Sequence, residues 1–170
     1  VCHAFSTIAT GGFSTKNLSI AHFESSIIHY IIIIFMFISG INFSLHFRAI
    51  RGDFKIYFKD VEFIAYVLII ISVTMLIFIS ISNFFSSFSF LNFKESLFAA
   101  VCMLTGTGFV LADYEIWPVF VQMILLTLMF IGGMGGSTTG GMKIIRIILL
   151  TKYTALETRR MLHARALIPV

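Results

Sequence analysis

Residues 61–82, "VEFIAYVLIIISVTMLIFISIS", run for 22 residues with a single charged side chain, Glu62, at one edge. Coiled as a helix the run spans about 33 Å, enough to cross a hydrocarbon core of about 30 Å. Nothing else in the chain constrains its fold so strongly, because a backbone in lipid must satisfy its own hydrogen bonds. A second such run, residues 24–47, has 24 residues and is expected to form another span. Composition agrees: 58% of residues are hydrophobic and 12% charged, against about 45–50% and 25% in soluble domains. The expected fold is therefore an all-α integral membrane chain. It begins at Val1 with no signal-peptide pattern, and we read it as part of a longer protein.

The third apolar stretch is interrupted. Residues 117–131, opening on Trp117 and Pro118, are followed by "GGMGGSTTGGMK" and then by "IIRIILL". Six of the twelve glycines lie within 132–141, each costing a helix interior about 1 kcal/mol relative to alanine. Gly132, Gly136 and Gly140 have the GxxxG spacing of closely packed membrane helices. Gly133, Gly135 and Gly141 fall on other faces, however, and together with Ser137, Thr138 and Thr139 they argue for a broken helix. A nucleotide loop is excluded by its letters: Met142 separates Gly141 from Lys143, and Thr138 stands where a dinucleotide fingerprint needs its last glycine.

Charge sets the orientation. Ten of the twelve Lys and Arg lie in residues 48–59 or from Lys143 onward, which places those segments in the cytoplasm. Lys16 and Lys94 lie on the outer side with Glu24, Glu95, Asp113 and Glu115. The basic residues thus mark topology, and nucleic acid is not an expected partner. Arg146, Arg159 and Arg160 read as positive-inside residues or as contacts to anionic lipid. Lys143 has two readings, a snorkelling end to the span or a positive charge at the inner mouth of an ion path.

A displacement of 96 residues aligns "AFSTIATGGF" (4–13) with "AVCMLTGTGF" (100–109), matching Ala4 to Ala100, Gly12 to Gly108 and Phe13 to Phe109. In each copy a short apolar segment leads to a Thr/Gly turn and then to a span. Residues 94–104 are too short to cross and fit a re-entrant half-helix, with Glu95 near its positive end. Irregular backbone at membrane depth must be buried or line a watery cavity. One Thr/Gly turn alone reads as ordinary loop punctuation. Two at matching places favour carbonyl-lined walls of an ion path, made by Ala9, Thr10, Gly11 and Gly12 and by Thr105, Gly106, Thr107 and Gly108.

The expected organisation is the end of one repeat in residues 1–60 and a second repeat in 61–170. The first holds a filter turn (7–13), the span (24–47) and a cytoplasmic loop (48–60). The second holds a span (61–82), a pore half-helix (94–104), a filter turn (105–109), a broken span (117–150) and a cytoplasmic tail (151–170). Cys2 and Cys102 have no disulfide or metal spacing, and the five histidines never pair at ligand spacing. His29 alone among them lies inside a span. No enzymatic constellation or cofactor motif is present in the sequence.

At these motifs the chain resembles the Trk/Ktr/HKT potassium transporters, most closely the bacterial Trk-type pore subunits. "FSTIATGGFST" and "LTGTGFVLADYEIWP" look like that family's second and third filter loops, and "GGMGGSTTGGMKIIRI" like the interruption in its third repeat. The resemblance implies four helix–re-entrant pore loop–helix repeats around one potassium-channel-like path, of which this partial chain holds most of two. It implies K+ as the transported ion, coordinated at the filter residues, and uptake across the inner membrane by a multi-pass protein. It also implies a homodimer and a cytoplasmic nucleotide-binding regulatory subunit as partner. Carried onto this sequence, the gate is Gly132, Gly133, Gly135, Gly136, Ser137, Thr138, Thr139, Gly140 and Gly141, with Lys143 just beyond. Thr107 stands where the family often has a small apolar residue. The alternative is a secondary transporter whose discontinuous helix binds substrate at the membrane midplane.

Overall fold

The computed structural model describes residues 1–84 and 89–162. His163, Arg165, the end of the tail at 163–170 and the middle of the connection at 85–88 lie outside the described residues. The order is α1 (Cys2–Ile8), α2 (Ser26–Ser39), α3 (Phe43–Ile50), α4 (Ile56–Lys59), α5 (Val61–Phe84), α6 (Phe90–Thr105), α7 (Val119–Phe130) and α8 (Ile144–Leu162). Short 3-10 turns at Ser19–His22 and Tyr114–Ile116 precede α2 and α7.

Helix α5 is the long apolar run, capped by Asp60, whose carboxylate accepts from Phe63 N at 2.8 Å. Tyr66, Ile70, Ile77 and Ile81 form its buried stripe, while Ile64, Leu68, Ile71, Met75 and Ile79 remain exposed. An apolar face this long is unfavourable in water and costs nothing in lipid. In lipid, helices associate by close packing rather than by hydrophobic drive. The fully buried Ala99 and Ala100 of α6 accordingly meet Ile77 and Ile81 with Val121 of α7. A second, larger cluster joins Met36, Tyr66, Phe98, Leu104, Phe109 and Met134 between α2, α5, α6 and the glycine-rich loop.

The run at 24–47 is not one straight span. Helices α2 and α3 meet at 99° around residues 40–42. Gly40 packs where a Cβ would stand 2.2 Å from the Tyr66 hydroxyl, and Asn42 caps α3 by accepting from Ser44 N at 2.8 Å. The break frees backbone groups, and the glycine-rich loop takes them: Met134 N donates to Gly40 O at 3.0 Å, and Phe43 N donates to Gly136 O at 3.2 Å. A broken helix in a membrane must be re-satisfied by protein in this way. Beyond the bend α3 buries Leu45 and Ala49 and exposes Arg48 and Arg51, the pattern of an interfacial helix.

Helix α6 also departs from expectation. It spans 16 residues rather than 94–104, because Ser89 caps it by accepting from Leu91 N at 3.2 Å. Glu95 is therefore its sixth residue, past the positive first turn. Lys94 is buried and donates to Ser26 Oγ at the start of α2 (3.3 Å). Helix α7 has 12 residues, about 18 Å. On α8, Arg146, Lys152, Arg159 and Arg160 are exposed, with Arg160 paired to Glu157 at 2.9 Å.

Candidate functional site

The two Thr/Gly turns have one geometry, displaced by 96 residues. Positive φ occurs at Thr10 (51°) and Gly12 (66°) in the first, and at Gly106 (67°) and Gly108 (79°) in the second. Backbone bonds repeat as well. Thr10 N reaches Thr7 O at 3.2 Å and Gly11 N reaches Ser6 O at 2.8 Å; Gly106 N reaches Met103 O at 3.1 Å and Thr107 N reaches Cys102 O at 3.0 Å. Even the side chains behind them correspond. Ser6 Oγ accepts from Phe13 N at 2.7 Å, and Cys102 Sγ donates to Phe109 O at 3.2 Å. Ala9 caps α1 just past its end, and its counterpart Thr105 is the last residue of α6.

The turns lie against each other. A Cβ on Gly12 would stand 2.0 Å from Thr107 O, and beyond the turns Ala21 N donates to Val110 O at 3.1 Å. Around Gly108 a Cβ would meet nothing within 4 Å. The second turn is braced from behind by the buried hydroxyls of Thr105 and Thr107, which share a 2.8 Å bond.

The predicted glycine interruption is a closed loop. Helix α7 stops where Ile131 turns extended, and Ile131 and Met142 pair as an isolated parallel bridge. Gly132 N donates to Met142 O (2.9 Å), Met142 N to Phe130 O (3.0 Å), and Ile144 N to Gly133 O (3.2 Å). This approach needs glycine, since a Cβ on Gly132 would stand 1.9 Å from Gly140 O. Gly132, Gly136 and Gly140 thus sit in a loop and make no helix-packing face. The Thr139 hydroxyl accepts from Gly133 N at 2.9 Å and shares a 2.8 Å bond with Ser137 Oγ. Lys143 neither snorkels outward nor stands free. Its ammonium folds back on the loop, donating to Thr139 O, to Thr139 Oγ1 at 3.0 Å and to Ser137 Oγ at 3.5 Å.

The loop reaches both turns. Thr138 Oγ1 donates to Ile8 O at 2.9 Å and stands 3.3 Å from Ser39 O. In return, Thr10 Oγ1 donates to Thr138 O at 3.1 Å. Gly140 N lies 3.9 Å from where a Gly106 Cβ would stand. A pocket of ≈ 280 Å³ separates the second turn from the loop, lined by Gly106, Gly108, Gly140 and Gly141 among others. Gly135 and Gly136 face the other way, toward Glu62 and Asn42 respectively.

Three contributors escaped the sequence reading. Glu62 is buried and accepts from Gly135 N at 2.7 Å and from Ile145 N at 3.0 Å. Its signal was present, as the single charge of a 22-residue apolar run. Asn42, beside Gly136, carried no signal, and the Ser6/Cys102 pair none beyond its place in the repeat. His29 is buried and bonds Phe23 O at 2.7 Å, a packing role at the start of α2.

These helices, re-entrant segments and turns make the protein an all-α integral membrane chain of the helix–pore loop–helix type. A family model described as "TrkH: Cation transport protein" matches residues 1–169, and the chain belongs to that family. It is 42% identical over 170 residues to the Trk system potassium uptake protein TrkH of Vibrio parahaemolyticus, covering 98% of this chain and 35% of that protein. The TrkH of Escherichia coli strain K12 is 41% identical, covering 96% and 34%. The E. coli K12 TrkG is 33% identical, covering 100% and 35%. The crystal structure of the potassium transporter TrkH from V. parahaemolyticus superposes with a TM-score of 0.92 at 41% identity, covering 99% of this chain and 37% of that one. The chain thus spans about a third of the length of these relatives, which are transport proteins and not enzymes.

Proposed function

We propose that this chain is the middle part of a potassium uptake protein of the inner membrane. In this reading Ala9 to Gly12 and Thr105 to Gly108 form two adjoining walls of a selectivity filter. Potassium sheds its water there and is held by backbone carbonyls. The observation that carries the reading is the pair of touching turns with identical φ signs and hydrogen bonds 96 residues apart. Alternating φ signs bring successive carbonyls to one side of a chain, and α1 and α6 both end at a turn with the negative ends of their dipoles directed at it.

The loop at 132–141 is then the gate. It is built of glycines, closed on itself, and hydrogen-bonded to the first turn through Thr138. A mobile element is drawn from segments outside regular helices, and a glycine-rich loop of irregular backbone qualifies. The broken-helix transporter is less well supported. It needs a free helix end to meet substrate, whereas Glu62 already occupies the N-terminus of α8. The exposed basic residues of α8 are assigned to anionic lipid and to a cytoplasmic nucleotide-binding regulatory ring, and the assembly to a homodimer.

Rubidium uptake by the full-length protein in vesicles tests both parts. Gly108→Ser is expected to lower the preference for rubidium over sodium, and removal of Ser137 and Thr138 to raise basal flux. Unchanged preference in the first variant overturns the filter assignment. Unchanged flux in the second overturns the gate.

A further inference from the structure

Glu62 lies outside both the turns and the loop, yet it bonds the loop at Gly135 and α8 at Ile145. It is the second residue of α5, and its carboxylate is turned away from its own helix toward Gly135 and α8. A single oxygen, Oε1, accepts from Gly135 N at 2.7 Å and from Ile145 N at 3.0 Å. One donor lies within the loop and the other in the first turn of α8. The side chain is 8% exposed.

Charge favours this arrangement. Two helices, α5 and α8, begin at the same carboxylate, and each presents the positive end of its dipole there. Bonds from N–H groups to an ionised acceptor are stronger than those between neutral groups. The remaining bonds to the loop among the described residues come from backbone and hydroxyl groups of residues 8, 10, 39, 40 and 43 and from the flanking Met142 and Ile144. Lys143, just beyond the loop, folds back to brace Ser137 and Thr139 within it. Glu62 is thus the carboxyl group by which the long span α5 holds the loop.

We propose that Glu62 is the positioning residue that holds the glycine-rich loop closed, through its shared hold on Gly135 N and Ile145 N. This rests on the reading of 132–141 as the gate. To open, the loop must carry Gly135 away from Glu62 while α8 keeps its bond through Ile145. The carboxylate therefore acts as a latch at Gly135 and a pivot at Ile145. Among the described residues its side-chain hydrogen bonds go to Gly135 and Ile145 and not to the turns, so it sets how often the path opens and not which ion passes.

The test uses the full-length protein in vesicles, with basal rubidium flux and the rubidium-to-sodium ratio measured for Glu62→Gln and Glu62→Ala. Glutamine keeps a neutral acceptor of the same length; alanine removes it. The expected result is basal flux raised several-fold by Glu62→Gln and tenfold or more by Glu62→Ala, with the ion ratio unchanged in both. A general loosening of the fold would lower the ratio as well, and that outcome overturns the proposal. So does basal flux in folded Glu62→Gln at or below that of the unaltered protein. The shortened loop lacking Ser137 and Thr138 is measured alongside. If it raises flux and Glu62→Gln does not, the latch alone is wrong; if neither raises flux, the gate assignment is wrong.

Discussion

The two turns are copies in backbone and different in support. The second is held by its own half-helix: α6 is 16 residues long, Phe109 is fully buried, and Thr105 and Thr107 brace each other. The first turn is built differently. At the position of Gly106 it carries Thr10, a non-glycine residue at φ 51°. That conformation costs an L-residue about 1–2 kcal/mol. The Thr10 hydroxyl offsets part of it by bonding Ala9 O at 2.8 Å and Thr138 O at 3.1 Å. One turn is therefore braced from behind and the other from the loop below. Loop movement should be felt by the first turn more than by the second.

The largest effect is expected at the contact between the turns. Gly12→Ser sets a Cβ 2.0 Å from Thr107 O at φ +66°, and strain plus overpacking should cost about 2–5 kcal/mol. Thermal unfolding of the purified full-length protein should show a clear fall in Tm together with lost uptake. Gly108→Ser meets no neighbour within 4 Å and carries only the cost of φ +79°, about 1–2 kcal/mol. The variant should fold with a modest fall in Tm, and a collapse equal to that of Gly12→Ser would show that the turns are not open on the side assigned here.

A smaller effect separates loop support from intrinsic support. Thr138→Val removes the donor to Ile8 O and Ser39 O at nearly constant volume, a loss of about 1 kcal/mol, which would raise the open fraction about fivefold. Single-channel or flux recordings should show that rise, with little change in Tm. The smallest effect is expected from Thr10→Gly, which makes the first turn resemble the second. Relief of strain and loss of the hydroxyl bonds should nearly cancel, leaving stability within about 0.5 kcal/mol. A marked gain in stability would mean that the bond to Thr138 contributes little.

Much of this was legible in the residues because composition and spacing carry it. The apolar run of α5, the glycine interruption and the repeat at 96 residues depend on local physics. The bend at residues 40–42 was not legible, since one glycine in an apolar run is also compatible with a straight helix. What breaks it is tertiary: the Tyr66 hydroxyl beside Gly40, and the donor from Met134 that receives the freed carbonyl. The early start of α6 escaped for a local reason, because its Ser89 cap is one serine among several in that connection. Lys94 reads in sequence as an outer-side charge and Lys143 as a snorkelling end or a charge at an inner mouth, yet both reach hydroxyls that only the fold supplies. Glu62 was visible as a lone charge, but its partners are 73 and 83 residues away.

The central claim is that backbone carbonyls of the two turns hold the transported ion. Its most direct test is the structure of the full-length protein in rubidium, with the ion located by anomalous scattering. The account predicts rubidium between the carbonyls of residues 9–12 and 105–108, on the side of the turns away from Ser6 and Cys102. Rubidium bound elsewhere along the path, with that site empty, would contradict it.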